Sequence, residues 1–191
     1  MKESYAKEKM TVASADYVAE QLATDTQAKE LVLNECDIQP SSAVKIAAAL
    51  EANSTLTKLI IDSNKIGDEG AIAFAKALTI NATLKEISID NCQVGLAGFE
   101  ALGEMLAVNK TLTRLSLQVN YLDDAGADAL RRGIEKNTTI DVLLIGAPLT
   151  VRDTDGKAKS PLAFDKYTAL AMYPDGSGAK LGARAVAAIA G

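Results

Sequence analysis

Residues 56–83 read LTKLIIDSNKIGDEGAIAFAKALTINAT, and this 28-residue sentence recurs in register at 28–55, 84–111 and 112–139. The apolar anchors of this copy are Leu56, Leu59, Ile61 and Ile66. Their counterparts are Ala28, Leu31, Leu33 and Ile38; Leu84, Ile87, Ile89 and Val94; and Leu112, Leu115, Leu117 and Leu122. A fixed period of roughly 20–50 residues marks a repeat architecture. Leu59 and Ile61 stand two apart, so they share one face of a strand. Ala71, Phe74, Ala75 and Leu78 follow the i, i+3, i+4, i+7 spacing of one helix face. The same face recurs as Ala43, Ile46, Ala47 and Leu50, and as Phe99, Leu102, Gly103 and Leu106. Each copy is thus a strand and a helix whose apolar sides meet. One unit cannot bury its own core, but stacked units can.

Every copy ends on Asn-x-Thr, with asparagines at 53, 81, 109 and 137. The tripeptide is the acceptor pattern for N-glycosylation. The first ten residues, MKESYAKEKM, mix Lys and Glu with no apolar core, so they do not read as a signal peptide. The expected compartment is therefore cytoplasmic, where these sites stay unmodified. The asparagines are expected to end helices in the left-handed conformation that Asn tolerates. The threonines are expected to bond local backbone as the chain turns into the strand.

Composition sets further limits. The chain has 191 residues, enough for one domain with a sizeable core, and a net charge of −5. An acidic surface argues against phosphate-backbone binding, so nucleic acid is not an expected partner. No apolar run reaches the ~18 residues of a membrane span. There is no histidine, which removes the commonest acid–base group and metal ligand. No P-loop or G-x-S-x-G pattern occurs. Asp153-Thr154-Asp155-Gly156 starts like a calcium loop but lacks the distal Glu, so it reads as a solvated turn. Cys36 and Cys92 share the ninth repeat position two repeats apart, which places their Cα atoms about 10 Å apart. That is too far for a disulfide, and both read as small buried residues standing in for Asn. No catalytic residue, metal or cofactor is expected.

The pattern L-x-x-L-x-L-x-x-[N/C]-x-[L/I] resembles the leucine-rich repeat family, and the 28-residue length with a helical second half resembles its ribonuclease-inhibitor-like class. The resemblance covers residues 28–139. The stretch AVNKTLTRLSLQVNYLDDAG, residues 107–126, is similar to the repeats of tropomodulin-type actin regulators. Such repeats also occur in axonemal and other cytoskeletal proteins. The resemblance implies an α/β curved leucine-rich-repeat solenoid, with parallel strands on the concave face and helices on the convex face. It implies a non-enzymatic protein-binding module, a scaffold or adaptor in an intracellular, cytoskeletal or axonemal assembly. The alternatives are an actin-filament regulator of the tropomodulin type and a GTPase regulator, since Ran-type activating proteins share this repeat form.

On that fold the side chains flanking the buried leucines line the concave face as columns. One column is Glu30, Lys58, Glu86, Arg114 and Val142; the next is Val32, Ile60, Ser88, Ser116 and Leu144. A third is Asn34, Asp62, Asp90, Gln118 and Gly146, with Glu35 and Val119 beside it. The face is charged and polar at its N-terminal and middle part. It is apolar at its C-terminal part, where Val119, Val142, Leu144 and Ala147 gather. Charge beside exposed apolar groups suits a protein interface. Asp62 and Asp90, with Glu35 and Glu86 nearby, predict a partner with basic groups bound in a salt-sensitive way. The chain is expected to be monomeric on its own.

The ends depart from the period. Residues 15–27 align with the helical half of a repeat, with Val18, Ala19 and Leu22 facing in. They predict an N-terminal cap over 1–27, its first nine residues frayed or loosely docked. The unit at 140–166 starts normally and then loses its helix to VRDTDGKAKSP. Residues 167–191 read as a capping strand and helix. Arg131 occupies the helix slot of Ala47, Ala75 and Gly103. It is expected to reach into 151–166 and pair with Asp153, Asp155 or Asp165.

Overall fold

The computed structural model describes residues 2–4 and 12–145. Strand β1 (Lys2–Ser4) and helix α1 (Val12–Thr24) come first. Four strand–helix units follow: β2 (Glu30–Val32) with α2 (Pro40–Ala52), β3 (Lys58–Ile60) with α3 (Gly67–Ile80), β4 (Glu86–Ser88) with α4 (Leu96–Val108), and β5 (Arg114–Ser116) with α5 (Asp124–Lys136). Strand β6 (Val142–Leu144) closes the described chain. The six strands form one parallel sheet in sequence order. From β2 onward each residue pairs with its equivalent one period later, as in Leu31, Leu59, Ile87, Leu115 and Leu143. The chain is a leucine-rich-repeat solenoid with strands on one side and helices on the other.

Burial follows the apolar spacing. The central residue of each strand, from Leu31 to Leu143, is buried, as are the predicted helix faces of α2, α3 and α4. Ile87 is completely buried, in the slot that Leu59 and Leu115 hold in neighbouring units. Each strand is only three residues long, so the sheet is narrow. The sheet and helix row enclose a continuous apolar seam led by Phe74 and Phe99.

Small residues decide how closely the helices approach. A Cβ added at Gly103 in α4 would run into the backbone carbonyl of Ala129, and one at Gly133 in α5 into that of Gly103. Helices α4 and α5 therefore cross backbone to backbone, where any side chain would separate them.

Two expectations are corrected. Residues 2–4 are not frayed: they pair in parallel with Glu30–Val32 as β1. The repeat asparagines are not left-handed, since Asn53, Asn81, Asn109 and Asn137 have φ of −72°, −64°, −64° and −82° with extended ψ. Each is a bridge between repeats. Asn81 Nδ2 donates to the Leu50 and Asn53 carbonyls, both at 2.8 Å, and its Oδ1 accepts from the N–H of Thr83 and Leu84. The amide is fully committed, which leaves no place for a sugar without breaking the stack. Thr55, Thr83 and Thr111 bond the preceding repeat, as Thr55 Oγ1 does with the Asp25 carbonyl at 2.9 Å.

Arg131 finds partners on its own helix. Its Nε and Nη2 donate to Asp128 Oδ1 at 2.9 and 2.7 Å, and Nη1 donates to Glu135 Oε1 at 2.6 Å. These partners lie three before and four after it on its own helix, where helix geometry places neighbours. Arg131 holds Asp128 below the usual carboxylate range. The insert at 151–166, its three aspartates and the segment at 167–191 lie outside the described residues.

Candidate functional site

The sheet face opposite the helices carries the predicted columns. Strand pairing aligns Glu30, Lys58, Glu86, Arg114 and Val142 across five strands. Lys58 sits between two carboxylates, 3.7 Å from Glu30 and 3.6 Å from Glu86. Arg114 approaches Glu86 with Nε at 3.7 Å. These contacts are long and partly solvated, so each contributes roughly 0.2–1 kcal/mol. They order the column more than they hold the sheet together.

The third column is bonded through its side chains. Asn34 Oδ1 accepts from the Asp62 N–H at 2.9 Å, Asp62 Oδ1 from the Asp90 N–H at 2.9 Å, and Asp90 Oδ1 from the Gln118 N–H at 2.7 Å. Ser88 and Ser116 add hydroxyl bonds to Asp62 and Asp90 at 2.6 and 2.7 Å. Each side chain here caps a backbone amide of the next repeat. Burial pushes the Asp90 carboxyl up, against the pull of its bonds from Ser116 and Gln118, and the nearby Asp62 charge adds to the rise. The two aspartates therefore brace the fold with one oxygen and present only the other. A Lys at either position would remove the brace, so that exchange tests folding before it tests binding.

In the middle column Ile60, Ser88 and Leu144 are half-buried, whereas Val32 and Ser116 are buried. Val142 is also buried, at 7% exposure. Beyond the strands, Glu35, Ser63, Asn91 and Val119 occupy one turn position with φ of 56°, 58°, 52° and 58°. Glu35 and Val119 are exposed there. Valine is poorly suited to this left-handed region because its branched Cβ crowds the backbone. Tyr121, half exposed, follows in the position that Asp37, Lys65 and Gln93 hold elsewhere. It was missed in the sequence reading, although a tyrosine in an otherwise polar column is a visible signal. Gly146 and Ala147 lie outside the described residues.

Among the described residues no group of His, Cys, Asp or Glu could hold a metal ion, and none of their helices is long and apolar enough to cross a membrane. Cys36 and Cys92 are buried thiols, not joined in a disulfide. Burial pushes the Cys92 thiol up to about 12, which keeps it protonated and unreactive at neutral pH.

A family model described as Leucine Rich repeat matches residues 52–75 and 108–130. A sequence comparison with curated proteins finds no match. Among solved structures, one described as Leiomodin-1 Actin-Binding Site 2 superposes with a TM-score of 0.63 at 22% identity, covering 71% of this chain and 80% of that one. The tropomodulin C-terminal domain of Caenorhabditis elegans gives a TM-score of 0.62 at 13% identity, covering 74% and 86%. The chain carries leucine-rich repeats and has the fold of the tropomodulin-type repeat domains.

Proposed function

We propose that this chain is a non-enzymatic protein-binding module whose sheet face is the binding surface. The observation that carries the reading is the make-up of that face. A half-exposed ladder of charges over β2 to β5 gives way to apolar side chains at β6 and the preceding turn. Such a surface offers salt-dependent steering at one end and desolvation at the other. The carboxylate charges of Asp62 and Asp90 suit a partner's basic groups. A scaffold or adaptor role in a cytoskeletal assembly fits this surface and the tropomodulin-type fold.

Asp62→Asn with Asp90→Asn is the informative variant, because it removes both charges and keeps the Oδ1 acceptors that brace the stack. Affinity capture from native lysate with mass spectrometry should recover a partner with the unaltered chain. The double variant should retain its urea midpoint and capture that partner less well. Equal capture by both chains moves the site off this face. Leiomodin-1 is described by an actin-binding site, and the likeness at 22% identity supports the fold, not that partner. Co-sedimentation with filamentous actin therefore tests the actin-regulator alternative directly. Single-turnover GTP hydrolysis with a panel of GTPases tests the regulator alternative.

A further inference from the structure

The first column reads acid, base, acid, base and then valine. Lys58 has a carboxylate on each side, but among the described residues Arg114 has one only, because β6 places Val142 where the alternation calls for an acid. The closest contact of Arg114 with Glu86 is through Nε at 3.7 Å, and its two Nη groups make no hydrogen bond among the described residues. Its side chain is 36% exposed. A guanidinium offers a planar fork of donors suited to a carboxylate. Leu144, half-buried, lies on the adjoining strand and pairs with Ser116 two residues beyond Arg114. Exposed Val119 and Tyr121 stand past the end of β5.

We propose that this end of the face binds an extended partner segment with an acidic side chain and an aliphatic side chain two positions apart. The carboxylate completes the charge column on the open fork of Arg114, and the aliphatic group lies over Leu144 toward Val119. Extended chain directs every second side chain to one face at a spacing of about 6.6–6.8 Å. That spacing matches the two-residue step from the Arg114–Val142 pair to the Ser116–Leu144 pair. The partner thus supplies the acid that β6 omits. The inference rests on the protein-binding reading of the face and adds the chemistry of one end of it.

Selection of a random seven-residue peptide library on the full chain tests it. Enriched peptides should share an acidic and an aliphatic residue two apart. Their affinity should fall about tenfold with Arg114→Ala, fall less with Arg114→Lys, and fall with Leu144→Asp. Val142→Glu puts the missing acid into the chain itself, in the slot that Glu86 fills in β4, and should block the same peptides. Circular dichroism and urea midpoints confirm that each variant is folded. Failure to enrich this pattern, or enriched peptides indifferent to Arg114 and Val142, overturns the inference. If such peptides respond instead to the Asp62 and Asp90 exchanges, the face still binds and only the proposed chemistry fails. Peptides indifferent to every face variant overturn both.

Discussion

The two edges of the stack, where strands begin and where they end, are both closed by asparagine, yet they are built differently. Where helix returns to strand, every repeat supplies one: Asn53, Asn81, Asn109 and Asn137. Where strand leaves for helix, Asn64 and Asn120 alternate with Cys36 and Cys92. Asn64 Oδ1 accepts from the N–H of Cys36 and Ile38 in the preceding repeat, at 3.1 and 3.0 Å. Its Nδ2 donates to the carbonyls of Leu33 and Ile61, at 2.8 and 2.6 Å. Cys92 Sγ donates to the carbonyls of Ile61 and Asp90, each at 3.3 Å, and accepts from the backbone N–H groups of Asn64 and Ser63. An amide has donors and acceptors to spare, so it binds both partners across a joint. A thiol is a weak donor and a weaker acceptor, so it fills the space and does part of the bonding.

The largest expected effect breaks the alternating edge at its stronger member. Asn64→Ala strands two N–H groups and two carbonyls in the interior and should cost on the order of 4 kcal/mol. Asn81→Ala should cost about as much, because its amide also serves four backbone groups. A loss at Asn64 below about 1 kcal/mol in urea melts would mean that water replaces the bonds and the edges are not comparable. Ile87→Ala supplies an apolar reference from the same sheet and should cost about 3 kcal/mol, within the usual range for a fully buried site.

The thiol edge should also show itself at high pH. An ordinary cysteine ionises near 9, whereas folded Cys92 does so near 12. Above pH 9 the unfolded chain releases its proton first, which favours unfolding. The stability present below pH 9 should therefore decline toward pH 12 by about 1.4 kcal/mol per pH unit from this group. Cys92→Ser should flatten that slope in urea melts between pH 8.5 and 11; an unchanged slope would assign the decline to other groups. Smallest is Cys92→Asn, which restores the bridging amide at nearly constant volume. A gain of about 1 kcal/mol is expected, and a loss would show that the cysteine repeats pack too tightly for an amide.

The apolar skeleton was legible because it is written directly in side-chain spacing: Leu59, Ile87 and Leu115 announce one buried line, and α3 announces its face. The columns of the sheet face followed from the same register. What escaped notice depends on backbone geometry and on bonding across repeats. Asn81 looks like a turn residue until its partners a full repeat earlier are known. Asp62 and Asp90 look like free surface acids, although each gives one oxygen to the next repeat. β1, three residues reading KES, has no apolar signature, because its pairing uses the open backbone of β2. The partners of Arg131 on its own helix, Asp128 and Glu135, stood at helical spacing in plain sequence but were passed over for its slot in the repeat.

The glycine crossing of α4 and α5 reaches the opposite surface of the molecule. Parallel strands sit about 4.8 Å apart, whereas packed helices usually sit 8–10 Å apart, and that mismatch is the wedge that bends a solenoid. Gly103 and Gly133 bring two helices closer and so thin the wedge at one joint. The joint is the one between β4 and β5, where Glu86 meets Arg114. The flatness of the face beside Arg114 is therefore set by two hydrogen atoms on the far side, and a methyl group added there would curl the surface that a partner has to match.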